Sequence, residues 1–172
     1  SNTVHRFPRE LEMRYCPWCC SLLTKKILEG EERVACSSAQ CGYVFYNNPT
    51  PVVAAIVEYN EKIILAHKKG FPETWYGVIA GFLEKGETPE QAVLREIKEE
   101  VGLDGEILQF IGHYSFFERN QLILAFLVKA HGEIQLGDEL DQIKLVLPDE
   151  IKPWPHGTGP ALRDWLEGRK NK

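Results

Sequence analysis

The sequence predicts an α/β fold: a layered α/β/α sandwich in which a mixed sheet carries one helix on each face, preceded by a small cysteine-rich module. Three observations predict it. All five cysteines fall within the first 41 of 172 residues. Beyond them, short apolar or alternating segments bounded by turn residues read as strands. Two further segments read as helices, one of them with both ends marked. A hydrophobic content of 44% over this length suits one sheet domain plus a small appendage.

The elements follow in chain order. Residues 1–13 read as a polar N-terminal arm. Residues 14–46 hold Cys16-Pro17-Trp18-Cys19, sixteen further residues, Cys36, four residues and Cys41, with Cys20 left over. Between the pairs, residues 23–34 read as a hairpin with Glu29-Gly30-Glu31 as its turn. Two close cysteine pairs flanking a polar hairpin read as a zinc ribbon, with Cys16, Cys19, Cys36 and Cys41 as ligands of a structural Zn²⁺. So small a module can hardly keep its shape by core packing alone, and a tetrahedral thiolate site supplies what the core cannot. The second pair is wider than the usual two-residue knuckle. Disulfides, or a ribbon that has lost its metal, are the competing readings. An odd cysteine count and the absence of an apolar leader weigh against disulfides.

Residues 47–172 form the second domain, opening with the linker Asn47-Asn48-Pro49-Thr50-Pro51. Residues 52–59 and 62–68 read as a hairpin around Asn60-Glu61, and 75–80 as a further strand. Residues 107–117 and 122–130 are expected strands joined by a turn at Glu118-Arg119-Asn120. Residues 143–147 read as the last strand and 159–168 as a C-terminal helix.

The remaining helix lies within residues 81–103, GFLEKGETPEQAVLREIKEEVGL. Thr88-Pro89-Glu90-Gln91 is a capping box with proline at the first helical position, so the helix begins at Pro89. Gly102 sits where a left-handed residue would end it. At about 100° per residue, Glu99, Glu96 and Glu100 fall near −60°, 0° and +40° around the axis. Such a face repels itself. One reading is a solvated acidic surface balanced by Lys85, Arg95 and Lys98. The other is a site for Mg²⁺ or Mn²⁺, hard cations that take clustered carboxylate oxygens while keeping waters and phosphate oxygens.

The same stretch matches G-x5-E-x7-R-E-U-x-E-E-x-G-U (U aliphatic) at nine fixed positions in 23 residues. It resembles the Nudix hydrolase family, and that resemblance implies the α/β/α fold and metal-dependent cleavage of the diphosphate in a nucleoside diphosphate linked to another group. Metal ligands are then expected from Glu96, Glu99 and Glu100, with the Gly81 carbonyl and Glu87 as further candidates. Arg95 would orient the glutamates by bidentate pairing. Glu96, Glu99, Arg95 and Glu139 are the candidate catalytic residues. Glu139 matches an additional carboxylate near the metals, although a loop glutamate beside Asp138 and Asp141 is equally readable as solvated.

A cysteine ribbon ending in C-x-x-x-F-Y-N-N-P and running into this domain is similar to the NADH pyrophosphatase group, over residues 14–168. The resemblance implies a homodimer and a nucleotide base held by Tyr46, supplied across the dimer interface, and Phe82. Both residues also read as core or interface positions. The group's S-Q-P-W-P-F-P signature is replaced here by His113-Tyr114-Ser115-Phe116-Phe117-Glu118-Arg119. Phe116 remains a candidate apolar wall, Arg119 a partner for a second phosphate, and Phe117 an ordinary strand residue. The expected substrate is therefore a small nucleotide of the NADH, NAD, FAD or ADP-ribose type. The alternatives are a nucleoside triphosphate pyrophosphohydrolase that sanitises the nucleotide pool, and a non-catalytic nucleotide-binding regulator.

Charge and hydropathy narrow the classes. A net charge of −5 offers no basic footprint for general nucleic-acid binding, which leaves a capped RNA end as the one nucleic-acid substrate to consider. The longest apolar runs, residues 52–57 and 122–128, are too short to span a bilayer. With no apolar leader opening the sequence, the expected location is cytoplasmic.

Overall fold

The computed structural model describes residues 13–171. Apart from Met13, the expected N-terminal arm lies outside the described residues. The chain divides between Asn48 and Pro49 into two compact units.

The first unit is built on a three-stranded antiparallel sheet, with β1 (Leu23–Leu28), β2 (Glu31–Cys36) and β3 (Val44–Phe45) in that order. Leu28 pairs with Glu31, so the hairpin turn is the two residues Glu29-Gly30. Glu31, expected in the turn, already belongs to β2. Glu29 and Gly30 have φ of 53° and 85°, the two left-handed residues that a type I′ turn requires to match strand twist.

The second unit carries a six-stranded mixed sheet. It comprises β4 (Thr50–Tyr59), β5 (Lys62–Lys68), β6 (Ile79–Phe82), β7 (Asp104–Phe116), β8 (Gln121–His131) and β9 (Leu140–Val146). The order is β7-β8-β4-β5-β9, with β6 also paired to β4. β4 runs parallel to β8 from Thr50↔Gln121 to Glu58↔Lys129. Its other edge is divided. Only Glu58↔Ile63 and Tyr59↔Lys62 join it to β5, whereas Val52↔Phe82 through Ala55↔Ile79 join it to β6. The sheet therefore splays between β5 and β6.

Helix α1 (Pro89–Val101) and helix α2 (Gly159–Lys170) cover the two faces. Alternate residues of a strand point to opposite sides. Val53, Ala55 and Val57 join Ala92, Val93, Ile97 and Val101 of α1 in one core, while Val52, Ala54 and Ile56 join Ala161, Leu162 and Trp165 of α2 in the other. Burial on both faces explains why β4 reads as an unbroken apolar run.

Three expectations are corrected. Residues 75–78 are not strand: only Gly77 bridges to Ala66, and the strand proper is β6, because the free edge of β4 accommodates four residue pairs. Phe117 leaves β7 and opens a 3-10 turn, Phe117–Arg119. The last strand starts at Leu140 and ends at Val146 rather than spanning 143–147, since Leu140 buries its side chain and pairs with Lys68. Among the described residues no helix is long and apolar enough to cross a membrane.

Candidate active site and cysteine cluster

Thr88 caps α1: its Oγ1 accepts the Gln91 N–H at 3.2 Å, and Gln91 Oε1 accepts the Thr88 N–H at 2.9 Å. At the other end Gly102 adopts φ 73° and donates its N–H to the Lys98 carbonyl. The loop before β9 then covers the end of the helix. Gln135 and Gly137 donate N–H groups to the Val101 and Glu100 carbonyls, each at 2.9 Å, which brings Glu139 alongside the glutamates.

Arg95 organises the acidic face. Its Nε and Nη2 donate to the two oxygens of Glu87 at 2.9 and 2.7 Å. Nη1 donates to Glu96 Oε1 at 2.9 Å and to Glu99 Oε2 at 3.1 Å, and Nη2 also reaches the Phe82 carbonyl at 3.1 Å. The bidentate pairing expected of Arg95 is therefore with Glu87, whose carboxyl it holds below the usual range. With Oε1 also accepting the Glu84 N–H at 2.8 Å, Glu87 is a strut of the loop.

Glu96 packs over Gly81, and a Cβ at position 81 would collide with its carboxyl group. Burial pushes the Glu96 carboxyl up, opposed by the hydrogen bond from Arg95. Glu100 is only 5% exposed, and neither of its carboxylate oxygens has a hydrogen-bond partner. Burial raises its pKa to about 7, with the charges of Glu96, Glu139 and Glu99 adding to the effect and Lys68 opposing it. The Lys68 ammonium stands 3.9 Å from Glu100 Oε1. Nothing in the sequence near Lys68 marks it; it enters because β5 ends beside α1 at the splay.

These groups open onto a cavity of about 660 Å³ that Gly81, Glu100 and Lys68 share with Val52 and Ile123 from the opposite face of the sheet. Phe82 and Phe116 both line it. Arg119 lies over the Phe116 ring with its guanidinium carbon 5.6 Å from the centroid. Phe117 does not line the cavity and is 86% exposed. Trp75, Phe71 and His156 line it too, and no local pattern in the sequence announces them. Tyr46 lies in the first unit, exposed, with Arg33 over its ring at 5.3 Å.

In the first unit, the Cys16, Cys19, Cys36 and Cys41 sulfurs all lie within 4.8 Å of one another. Cys16 and Cys41 Sγ are 3.7 Å apart and Cys19 and Cys36 Sγ 3.5 Å. Four sulfurs at about 2.3 Å from a common tetrahedral centre would be about 3.8 Å apart, so the set fits a metal ion. All five cysteines are free thiols, and the wide second pair still converges because β2 and the 37–41 turn fold back together. The Trp18 and Ser38 N–H groups each point at a sulfur, Cys16 and Cys36 Sγ, at 3.4 Å. Hydrogen bonds from Ser21 lower Cys19 to about 6; at Cys36 the Ser38 N–H acts to lower the thiol, but burial and the neighbouring thiols together outweigh it and push Cys36 up to about 12. Cys20, at φ 63°, stands outside the cluster. Among the described residues the glutamates do not close into a comparable group. Glu96 and Glu99 turn to Arg95, and Glu100 faces Lys68.

Comparison with known proteins places this geometry. The NUDIX domain family model matches residues 49–166. The chain is 34% identical over 120 residues to a NAD-capped RNA hydrolase NudC of Vibrio atlanticus (strain LGP32), covering 70% of this chain and 43% of that protein. It is 34% identical over 133 residues to the mitochondrial NAD(P)H pyrophosphatase NUDT13 of Mus musculus, covering 74% of this chain and 37% of that one. The chain thus spans less than half the length of either relative. A crystal structure of a NUDIX hydrolase from Nitrosomonas europaea superposes with a TM-score of 0.79 at 28% identity, over 92% of this chain and 93% of that one. With the family model matching residues 49–166 and the glutamate helix, glycine and arginine in register with the motif, the chain belongs to the Nudix family.

Proposed function

We propose that this chain is a divalent-metal-dependent pyrophosphohydrolase. It cleaves the diphosphate of NAD(H)-type dinucleotides and related nucleoside diphosphate derivatives, and releases a nucleoside monophosphate and a second phosphorylated fragment. The observation that carries this reading is Glu100. A buried carboxylate without a hydrogen-bond partner, beside Glu96 and opening onto a cavity, is costly unless a cation completes it. Glu96, Glu99, Glu100 and the Gly81 carbonyl would hold Mg²⁺ or Mn²⁺, with Glu139 as an additional carboxylate. The ion, when bound, supplies charge neutralisation of the diphosphate and a more acidic water. Arg95 holds Glu96 and Glu99 in place, and Lys68 brings a positive charge to the wall where the diphosphate would lie.

Phe82 offers a ring, 57% exposed, for one base, with Tyr46 of a second subunit as its counterpart in a homodimer. Phe116 forms an apolar wall. The names of the relatives quoted above favour NAD-type substrates, including NAD-capped RNA ends. Zn²⁺ is the ion we assign to the four cysteines, in a structural ribbon, since all four sulfurs converge and leave no position open.

The test is kcat/KM across NADH, NAD⁺, FAD, ADP-ribose, ADP-glucose and nucleoside triphosphates with Mg²⁺ or Mn²⁺. A dinucleotide or ADP-ribose should lead. A preference of tenfold or more for triphosphates, about 1.4 kcal/mol in transition-state binding, would overturn the substrate assignment. Absence of turnover on the whole panel would favour the regulator.

A further inference from the structure

The cavity has a second aromatic wall that the reading above leaves unused. Residues 69–78 connect β5 to β6 and carry Phe71 and Trp75, 37% and 56% exposed. Their ring centroids are 6.2 Å apart with the planes inclined at 43°, and both line the same cavity as Gly81, Glu100 and Phe82. The exposed part of the Trp75 ring costs free energy in water unless a ligand covers it.

The connection is anchored along its length. The Phe71 N–H reaches the Lys68 carbonyl at 3.2 Å and the Trp75 N–H the Pro72 carbonyl at 2.9 Å. The Pro72 carbonyl also meets Nε2 of the buried His67 at 3.0 Å, while Nδ1 of His67 engages Asp141. Gly77 exchanges N–H and carbonyl bonds with Ala66 at 2.9 and 2.8 Å. Tyr76 is fixed from the far side, its hydroxyl donating to Gln142 Oε1 at 2.7 Å and Lys144 lying 4.0 Å from its ring centroid. The backbone that carries the two rings is therefore held before any ligand arrives, which removes part of the ordering cost of binding against them.

Their place in the cavity identifies the occupant. Phe71 lies three residues beyond Lys68, whose ammonium faces the glutamates, so the aromatic pair starts beside the point where a diphosphate would sit. Phe82, on β6, lines the same cavity with its own ring. A ligand that engages both aromatic sets and the charged groups of this one cavity carries two flat groups joined by a diphosphate. We propose that Phe71 and Trp75 form a stacking subsite for the second heteroaromatic ring of a dinucleotide, the ring that ADP-ribose lacks. This rests on the diphosphate assignment made above.

Calorimetric binding of NAD⁺ and of ADP-ribose, without added Mg²⁺ or Mn²⁺ so that neither is cleaved, tests the subsite separately from turnover. Loss of one stacking partner is expected to weaken a base by roughly tenfold or more. Trp75→Ala should raise the Kd for NAD⁺ by about that factor and change the Kd for ADP-ribose less than about twofold. Trp75→Phe should recover most of the NAD⁺ affinity, and Phe71→Leu should show a smaller loss in the same direction. Equal shifts for both ligands, no shift for either, or a wild-type protein that binds NAD⁺ no more tightly than ADP-ribose would each overturn the proposal. A wild-type protein that shows the Trp75-dependent preference yet cleaves no dinucleotide with metal added would instead refute the function proposed above and leave the subsite standing.

Discussion

At the scale of single residues, Glu100 and Gly81 make opposite demands on the fold. Glu100 holds a buried carboxylate with no hydrogen-bond partner, a destabilising arrangement in the metal-free protein. Glu100→Gln should therefore abolish hydrolysis while raising metal-free stability by about 1 kcal/mol, read from thermal melts with and without Mg²⁺. Full activity in that variant would sink the metal-site assignment. Gly81 is required by contact: a methyl group there meets the Glu96 carboxyl and must displace it. Gly81→Ala should lower kcat/KM by at least about 100-fold, the scale of an ångström-sized misplacement of a catalytic group, while circular dichroism stays native. The glutamates and glycine were legible because their spacing within one helix and its leading loop is local. Lys68 was not, because its proximity to Glu100 depends on where β5 leaves β4, a long-range register that no short window contains.

At the scale of elements, α1 was readable to the residue, since Thr88, Pro89 and Gly102 act on the backbone beside them. Thr88→Ala removes one half of a reciprocal cap and should cost about 1 kcal/mol in chemical denaturation. Residues 75–78 were misread because Trp75, Tyr76 and Val78 have strand-like composition, while the stretch of the β4 edge onto which they would extend β6 is taken by β5 at Glu58 and Tyr59. What holds that segment instead is His67. Both of its neighbours, the Asp141 carboxylate and the Pro72 carbonyl, are acceptors, so the ring satisfies both only when protonated at both nitrogens. The Asp141 hydrogen bond raises the His67 pKa. The folded state thus binds the proton more tightly than the unfolded one, and the stabilisation is fully present below about pH 6.5. It fades as pH rises through the folded value. Asp141→Asn should flatten this profile and lower stability at pH 6, by a modest amount because the Asp141 side chain is 40% exposed. An unchanged stability–pH curve would rule the strap out.

At the scale of the whole molecule, the two units depend on different forces. The second has two apolar cores, one under each helix, whereas among its described residues the first buries little beyond Cys16, Ala35 and Cys36. Protein purified without added metal should contain one zinc per chain by elemental analysis. Chelation should open the first unit to proteolysis and leave the second unit's melting transition in place. Zinc near zero with four titratable thiols would count against the ribbon. The splay between β5 and β6 has a wider consequence. In an unbroken sheet, groups anchored under one helix could not act on a molecule lying against the other face. Here the sheet has a window: Glu100 reaches through it from the α1 layer, while Phe82, Phe116 and Trp75 line the cavity that opens onto the α2 layer. On the function proposed above, the glutamates that would hold the metal and the surface that would select the substrate therefore belong to separate layers with separate cores. If that function holds, evolution or an engineer can rewrite which molecule is admitted while leaving the glutamate layer untouched.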